Sequence, residues 1–253
     1  MSARLLSGIA IVAAALALAI TLVSRSAPET PVALNDDAFG ERVRAYLVEN
    51  PQVLSEVVAA LEAQEAEQQA AAEAVALSEL SDDLFNDPTD WVGGNPDGDV
   101  VLVEFLDYRC GFCRRAHPEI TALLEQDNNI KLVIKEFPIL GEDSVVASRF
   151  ALSARFALGD DAYKAVNDAL MEHSGPMSQG ALGRMAREIG LDPNPILQGM
   201  DDERITETLL ANRALAQALQ INGTPAFAME DRVLRGYLPL DAMQAVVDEV
   251  RGG

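Results

Sequence analysis

Polar and apolar positions follow three different rhythms along this chain. The first is an uncharged run from Leu5 to Ser24, flanked by Arg4 and Arg25. An export signal has a charged start and an apolar stretch of about 7–15 residues, whereas a spanning helix needs about 20. Residues 1–25 therefore read as a signal peptide or membrane anchor, with the uncleaved anchor favoured, and 26–35 as a proline-containing linker. Either reading exports the rest of the chain.

The second rhythm is helical. Phe39, Val43, Tyr46 and Leu47 mark one face, and Asn50-Pro51 restarts the pattern with Asn as cap and Pro at the first helical position. Leu54, Val58 and Leu61 continue it. From Glu62 to Leu80 the sequence turns Ala-, Glu- and Gln-rich, with Ala63, Ala66, Ala70 and Leu77 as a thin stripe. Such a helix rests on propensity and has too little apolar surface to fold back as a core. Residues 36–82 are expected to form a helical arm, either a solvated spacer or an oligomerisation arm pairing with its copies. The apolar side chains at 39–61 would be wet in a monomer, which favours a homo-oligomer.

The third rhythm belongs to a mixed domain at 83–253. Asn86 to Asp99 is turn-rich and marks its boundary. Val100 to Leu106 reads as a buried strand that Glu104 interrupts, and a carboxylate there is costly unless it has a task. Ile130 to Phe137 gives a second strand, whose Lys135 is a candidate partner for Glu104. Helices are expected at Asp143–Leu158, Asp160–Met171, Ser178–Ile189 and Asp201–Leu219, with breaks at Gly159, Ser174-Gly175-Pro176 and Asp192-Pro193-Asn194-Pro195. Strand patterns return at Ala226–Met229 and Val233–Leu234, and a helix closes from Pro239 to Val250. This order predicts an α/β fold with a small mixed sheet and a helical insertion at about 142–220.

Composition narrows the partners. A net charge of −21 gives no nucleic-acid footprint and keeps the chain soluble. Two cysteines, Cys110 and Cys113, stand at the junction of the strand and an amphipathic helix. Unpaired N–H groups at a helix N-terminus favour an anion, and a thiolate there can have its pKa lowered to roughly 3.5–7.5. Arg109, Arg114 and Arg115 act in the same direction. Cys110 is then the expected nucleophile and Cys113, one turn in and less exposed, the resolving thiol. A zinc site would need four ligands, and His117 and His173 are the only histidines available beside the cysteines. Haem attachment would need His after Cys113, where Arg114 stands. His117 reads as packing or capping and His173 as structural; neither metal nor cofactor is expected.

The Cys110-Gly111-Phe112-Cys113 motif after a strand, Glu104 six residues before it, Pro118 in the helix and Gly223-Thr224-Pro225 near the C-terminus together resemble the thioredoxin superfamily. The helical insert makes residues 84–252 similar to DsbA-type periplasmic thiol–disulfide oxidoreductases. The resemblance implies a thioredoxin-like fold, Glu104 as a buried acid exchanging a proton with Cys113, and a cis bond at Thr224-Pro225 that presents backbone to a substrate peptide. It also implies that Gly111 and Phe112 tune the thiolate. Gly-Phe looks like the Gly-Tyr of disulfide isomerases rather than the Pro-His of strong oxidases, and Thr before the proline is likewise isomerase-like. With its helical arm the chain resembles the suppressor-of-copper-sensitivity proteins, oligomeric isomerases or reductants kept reduced by a membrane redox partner. Periplasmic disulfide exchange with exported proteins is therefore expected, isomerase or reductase ahead of oxidase. A copper- or zinc-binding chaperone using Cys110, Cys113 and His117 is the rival.

Overall fold

β2 (Val100–Leu106) and β3 (Ile130–Glu136) pair in parallel at the centre of a five-stranded sheet. Strands covered on both faces have no wet side, so β2 reads as an apolar run broken only by Glu104, whereas β3 carries Lys131, Lys135 and Glu136 among its apolar residues. The structure is a computed structural model describing residues 36–252; the expected signal or anchor at 1–25 and linker at 26–35 lie outside them. β1 (Trp91–Gly94) runs antiparallel to β3, β4 (Ala226–Met229) antiparallel to β2, and β5 (Arg232–Arg235) antiparallel to β4, giving the order β1-β3-β2-β4-β5. β1 lies in the stretch expected to be turn-rich. Its Trp91 is buried against Tyr163, ring centroids 5.5 Å apart, and donates Nε1–H to the Asp160 carbonyl at 3.1 Å. Gly94, at φ +64°, closes the strand where a Cβ would strike the Ile130 carbonyl.

Even-numbered residues of β2 and β3 face one layer. Leu102, Leu106, Leu132 and Ile134 meet Cys113, Ala116, Ile120 and Leu123 of α4 (Gly111–Gln126) and Met243 and Val247 of α10 (Leu240–Gly252). The insertion between β3 and β4 adds α5 (Glu142–Leu158), α6 (Asp160–Glu172), α7 (Gln179–Glu188), α8 (Pro193–Gly199) and α9 (Glu203–Ala218). Phe150, Val166, Leu182 and Ile196 bring the first four of these into the same core. α8 occupies the segment expected to be a break: Asp192 accepts from the Asn194 N–H at 3.0 Å and Pro193 opens the helix, where its missing N–H costs nothing.

Odd-numbered residues face the other layer. Val103, Phe105, Val133 and Phe137 pack with Leu215 and Leu219, and also with Leu77 and Leu84 from α2 (Gln52–Glu79) and α3 (Ser81–Phe85). The Ala-rich helix, expected to have too little apolar surface to fold back as a core, thus still supplies Leu77 to this one. Leu77 is fully buried, worth about 1.5–3 kcal/mol relative to an exposed side chain. Glu73 on the same helix accepts the Val233 N–H at 2.7 Å and pairs with Arg235 at 2.6 Å. The expected partner of Lys135 is corrected. Glu104 stands opposite Ile134, so Lys135 points away from it, into an ion pair with Asp90 and a 2.6 Å hydrogen bond to the Asp83 carbonyl.

Among the described residues, contacts divide the chain into two units that meet between Gln64 and Glu65 in sequence. In the first unit, Phe39, Tyr46, Leu54, Val58 and Leu61 are about half exposed along α1 (Asp36–Glu49) and the start of α2. No helix among the described residues is long and apolar enough to cross a membrane.

Candidate active site

Where β2 ends, a buried aspartate shapes the turn into α4. Asp107 Oδ1 accepts the Arg109 N–H at 2.7 Å, and Oδ2 accepts the N–H groups of Ile139 and Leu140 at 2.8 and 3.0 Å. Its carbonyl accepts the Cys110 N–H at 3.0 Å. This fixes Cys110 as the N-cap of α4 in extended conformation, φ −76° and ψ 118°, with its sulfur before the open end of the helix.

The two thiols are free and differ sharply in acidity. Cys110 is lowered to about 5, chiefly because the Cys113 thiol donates to its sulfur; the Thr224 side chain and the Cys113 and Phe112 N–H groups add to this against the pull of burial. When protonated, Cys110 donates to the Thr224 carbonyl at 3.0 Å, a contact that favours the thiol, yet the donors prevail. Cys113 is pushed far up, first because ionising it removes the proton it gives Cys110, then by burial and by the charge of Glu104. One sulfur carries the charge and the other keeps the proton. Alkylation of the reduced protein by iodoacetamide should therefore modify Cys110 alone, with a midpoint near pH 5. A midpoint near pH 9, read by mass against pH, contradicts the assignment.

Glu104 lies beneath the pair, buried, with Oε1 lacking a hydrogen-bond partner among the described residues. Burial first, then the charges of Glu136 and Cys110, raise it to about 8. The Thr224–Pro225 bond is cis. Gly111 meets no described atom where a Cβ would stand, and Phe112 is 59% exposed, so the dipeptide between the cysteines faces outward. The site thus brings together Cys110, Cys113, Glu104 and Thr224. Arg109 reaches the Gly175 carbonyl at 3.3 Å and Asp143 at 3.9 Å, and Arg114, which the Cys110 charge stabilises, donates to the Tyr108 carbonyl at 2.9 Å. Arg115 lies over the Tyr237 ring, 4.4 Å from its centroid.

Neither histidine joins the thiols. His117 Nε2 is 3.0 Å from Asp168, and His173 Nε2 is 3.3 Å from the Pro176 carbonyl. Among the described residues no group of three or more His, Cys, Asp or Glu is placed to hold a metal ion.

One functional candidate escaped the sequence reading. Glu136 ends β3 on the same face as Glu104 and is wholly buried. It accepts from the Tyr108 hydroxyl at 2.7 Å, the Tyr163 hydroxyl at 2.6 Å and the Ser148 hydroxyl at 2.7 Å. The available signal was the alternation Leu132, Ile134, Glu136 set beside Leu102, Glu104, Leu106.

Residues 101–248 match the model of the DSBA-like thioredoxin domain, and residues 36–68 that of the copper resistance protein ScsC N-terminal domain. A thioredoxin-like oxidoreductase from Silicibacter pomeroyi DSS-3 is 44% identical, covering 68% of this chain and 98% of its own, with a TM-score of 0.64. A linker-deletion variant of ScsC from Proteus mirabilis is 28% identical, covering 88% of this chain and 98% of its own, with a TM-score of 0.66. The Na(+)/H(+) antiporter NhaA 1 of Salinispora arenicola is 27% identical over 165 residues, 65% of this chain; the chain spans only 25% of that protein's length.

Proposed function

The chain belongs to the DSBA-like thioredoxin domain family, and on that premise we propose that it is a periplasmic thiol–disulfide oxidoreductase acting on exported proteins as isomerase or reductase. The observation that carries this reading is the division of one proton between two sulfurs at a helix N-terminus. The Cys110 thiolate attacks a substrate disulfide, forming a Cys110–substrate disulfide and releasing one substrate thiolate. In isomerisation, a substrate thiolate attacks the substrate sulfur of that mixed disulfide, forms a new pairing and returns Cys110 as thiolate. In reduction, Cys113 passes its proton to ionised Glu104 and attacks Cys110 sulfur, releasing the second substrate thiolate and leaving a Cys110–Cys113 disulfide. A membrane partner then restores the dithiol. Thr224 and Pro225 line the place where the substrate strand approaches.

Three observations favour isomerase or reductase: the outward-facing Gly-Phe pair, Thr224 before the proline, and the exposed apolar residues of α1 and α2 within the segment matched to the ScsC N-terminal domain. Those residues support a homo-oligomer through 36–82, in which several sites hold one misfolded substrate while thiols exchange. One observation favours the oxidase reading instead. A thiolate lowered to about 5 stabilises the dithiol form, which makes the disulfide more oxidising. A glutathione redox titration run with a mass measurement and a scrambled-ribonuclease assay separates the two. An oligomer that restores ribonuclease activity is expected. A monomer inactive on scrambled ribonuclease, with a potential near the ~−120 mV of DsbA, would overturn the isomerase assignment.

A further inference from the structure

Two carboxyl groups are buried on one face of the central strands, and they are provided for very differently. In the parallel register Glu104 stands opposite Ile134 and Glu136 opposite Leu106, so both side chains enter the layer beneath α4. Glu136 receives three hydroxyl hydrogen bonds, two on Oε1 and one on Oε2, while Glu104 Oε1 receives none among the described residues. A buried carboxylate with three donors is solvated by the protein; one without donors bears the full cost of desolvation and keeps its proton. Tyr108 is itself held by Asn167 Nδ2 at 3.0 Å, and Asn212 Nδ2 donates to the Glu136 carbonyl at 3.1 Å, so the donors are fixed in place.

We propose that Glu136 is the resident charge of this carboxyl pair and Glu104 the resident proton, so that Glu136 acts as the positioning residue for proton exchange between Glu104 and Cys113. The proposal rests on the exchange reading above and adds to it where the proton waits. The proton exchange itself needs no co-reactant, and the two electrons that regenerate the dithiol come from the thiol reductant of the exchange reading. Cys113 attacks in the fraction of molecules whose Glu104 is ionised, passing its proton to that carboxylate, and Glu104 returns the proton when a reductant regenerates the dithiol. Throughout, the negative charge on Glu136 opposes ionisation of Glu104 and keeps it a weak acid. The ordering of acidities agrees: burial raises Glu136 to about 7 and Glu104 to about 8, and the charge of Glu136 is a cause of the second. Burial and that same charge push both tyrosines well above the ordinary phenol value, so they remain donors.

The other groups facing the pair are few. Cys110 and Cys113 of the α4 turn act on Glu104, Asp107 acts on Glu136, and Ser148 of α5 and Tyr163 and Asn167 of α6 complete the polar set. β4 offers Phe227 opposite Glu104. Lys135, the cation nearest in sequence, serves Asp90 on the opposite face and neutralises neither carboxyl.

The test is isotope-edited infrared titration of the full chain from about pH 5 to pH 10, following the protonated carboxyl stretch of Glu104, assigned by its loss in Glu104→Gln. In Glu136→Gln, which keeps the shape and can still accept from the tyrosines, the Glu104 midpoint should fall by about one pH unit. The pH profile for resolution of a Cys110–glutathione mixed disulfide should fall with it, while the Cys110 alkylation midpoint stays. A folded Glu136→Gln protein whose Glu104 midpoint does not move overturns the proposal. Should that variant not fold, Ser148→Ala decides, since loss of one donor weakens the Glu136 anion and must lower the Glu104 midpoint in the same direction; an unmoved midpoint there is equally fatal. Absence of exchange in the wild type would defeat the proposed function instead, and the infrared midpoints would still judge the carboxyl pair.

Discussion

Serine in place of Cys110 reduces exchange with glutathione or a substrate disulfide to the uncatalysed level, a loss of at least about 1000-fold. The hydroxyl at the N-cap of α4 would receive the same hydrogen bonds, but those donors cannot turn an alcohol into an anion at neutral pH. Alanine in place of Cys113 behaves differently. It leaves the attacking sulfur, removes the thiol that releases the captured partner, and so accumulates mixed disulfides that mass spectrometry identifies. Cys113→Ala also removes the largest single cause of the high Cys110 acidity, so its alkylation midpoint should rise. A Cys110→Ser protein with a tenth or more of wild-type exchange would refute the assignment of the nucleophile.

Glutamine in place of Glu104 has the second large effect, on stability and rate together. Glu104 moves from 4.5 in the unfolded chain to about 8 in the folded one. Between those values the folded protein keeps a proton that the unfolded chain gives up, so this group's contribution declines as pH rises and is fully unfavourable above pH 8. The interval corresponds to on the order of 5 kcal/mol, shared with Glu136 through their mutual repulsion. The amide still lies unpartnered, at a cost of about 1–3 kcal/mol at any pH. Reduced Glu104→Gln should thus be no more stable than wild type near pH 5 and more stable by a few kcal/mol near pH 9, in urea unfolding at both values. Cys110, lowered from 9 to about 5, makes stability rise with pH over that window, but it is present in both proteins and largely cancels. Resolution of mixed disulfides should slow by about 100-fold, the usual scale of general acid–base assistance. A variant with the wild-type pH dependence would show that Glu104 is ionised in the native state.

The cysteine pair and the carboxyl under it are legible in the sequence because each is a local pattern, two thiols at a strand–helix junction and an acid inside an apolar run; the Thr224-Pro225 loop is marked only by the resemblance to the thioredoxin superfamily. What escaped is set by register between strands distant in the chain. Lys135 looks like the partner of Glu104 until the parallel pairing places Ile134 opposite it. Glu136 looks like the polar end of a strand until Tyr108, Tyr163 and Ser148 converge on it from three separate segments. β1 is masked by its own Gly-Gly ending, and α8 by two prolines that in fact sit in its first turn. Leu77 is one apolar residue in an alanine-rich helix, and periodicity alone cannot show that it lands on the sheet.

Glu73 gives the outer border of the sheet a particular character. β5 is the last strand, and a last strand leaves its unpaired amides open to any extended chain. By taking the Val233 amide and clamping Arg235, one carboxylate closes this border to stray polypeptide.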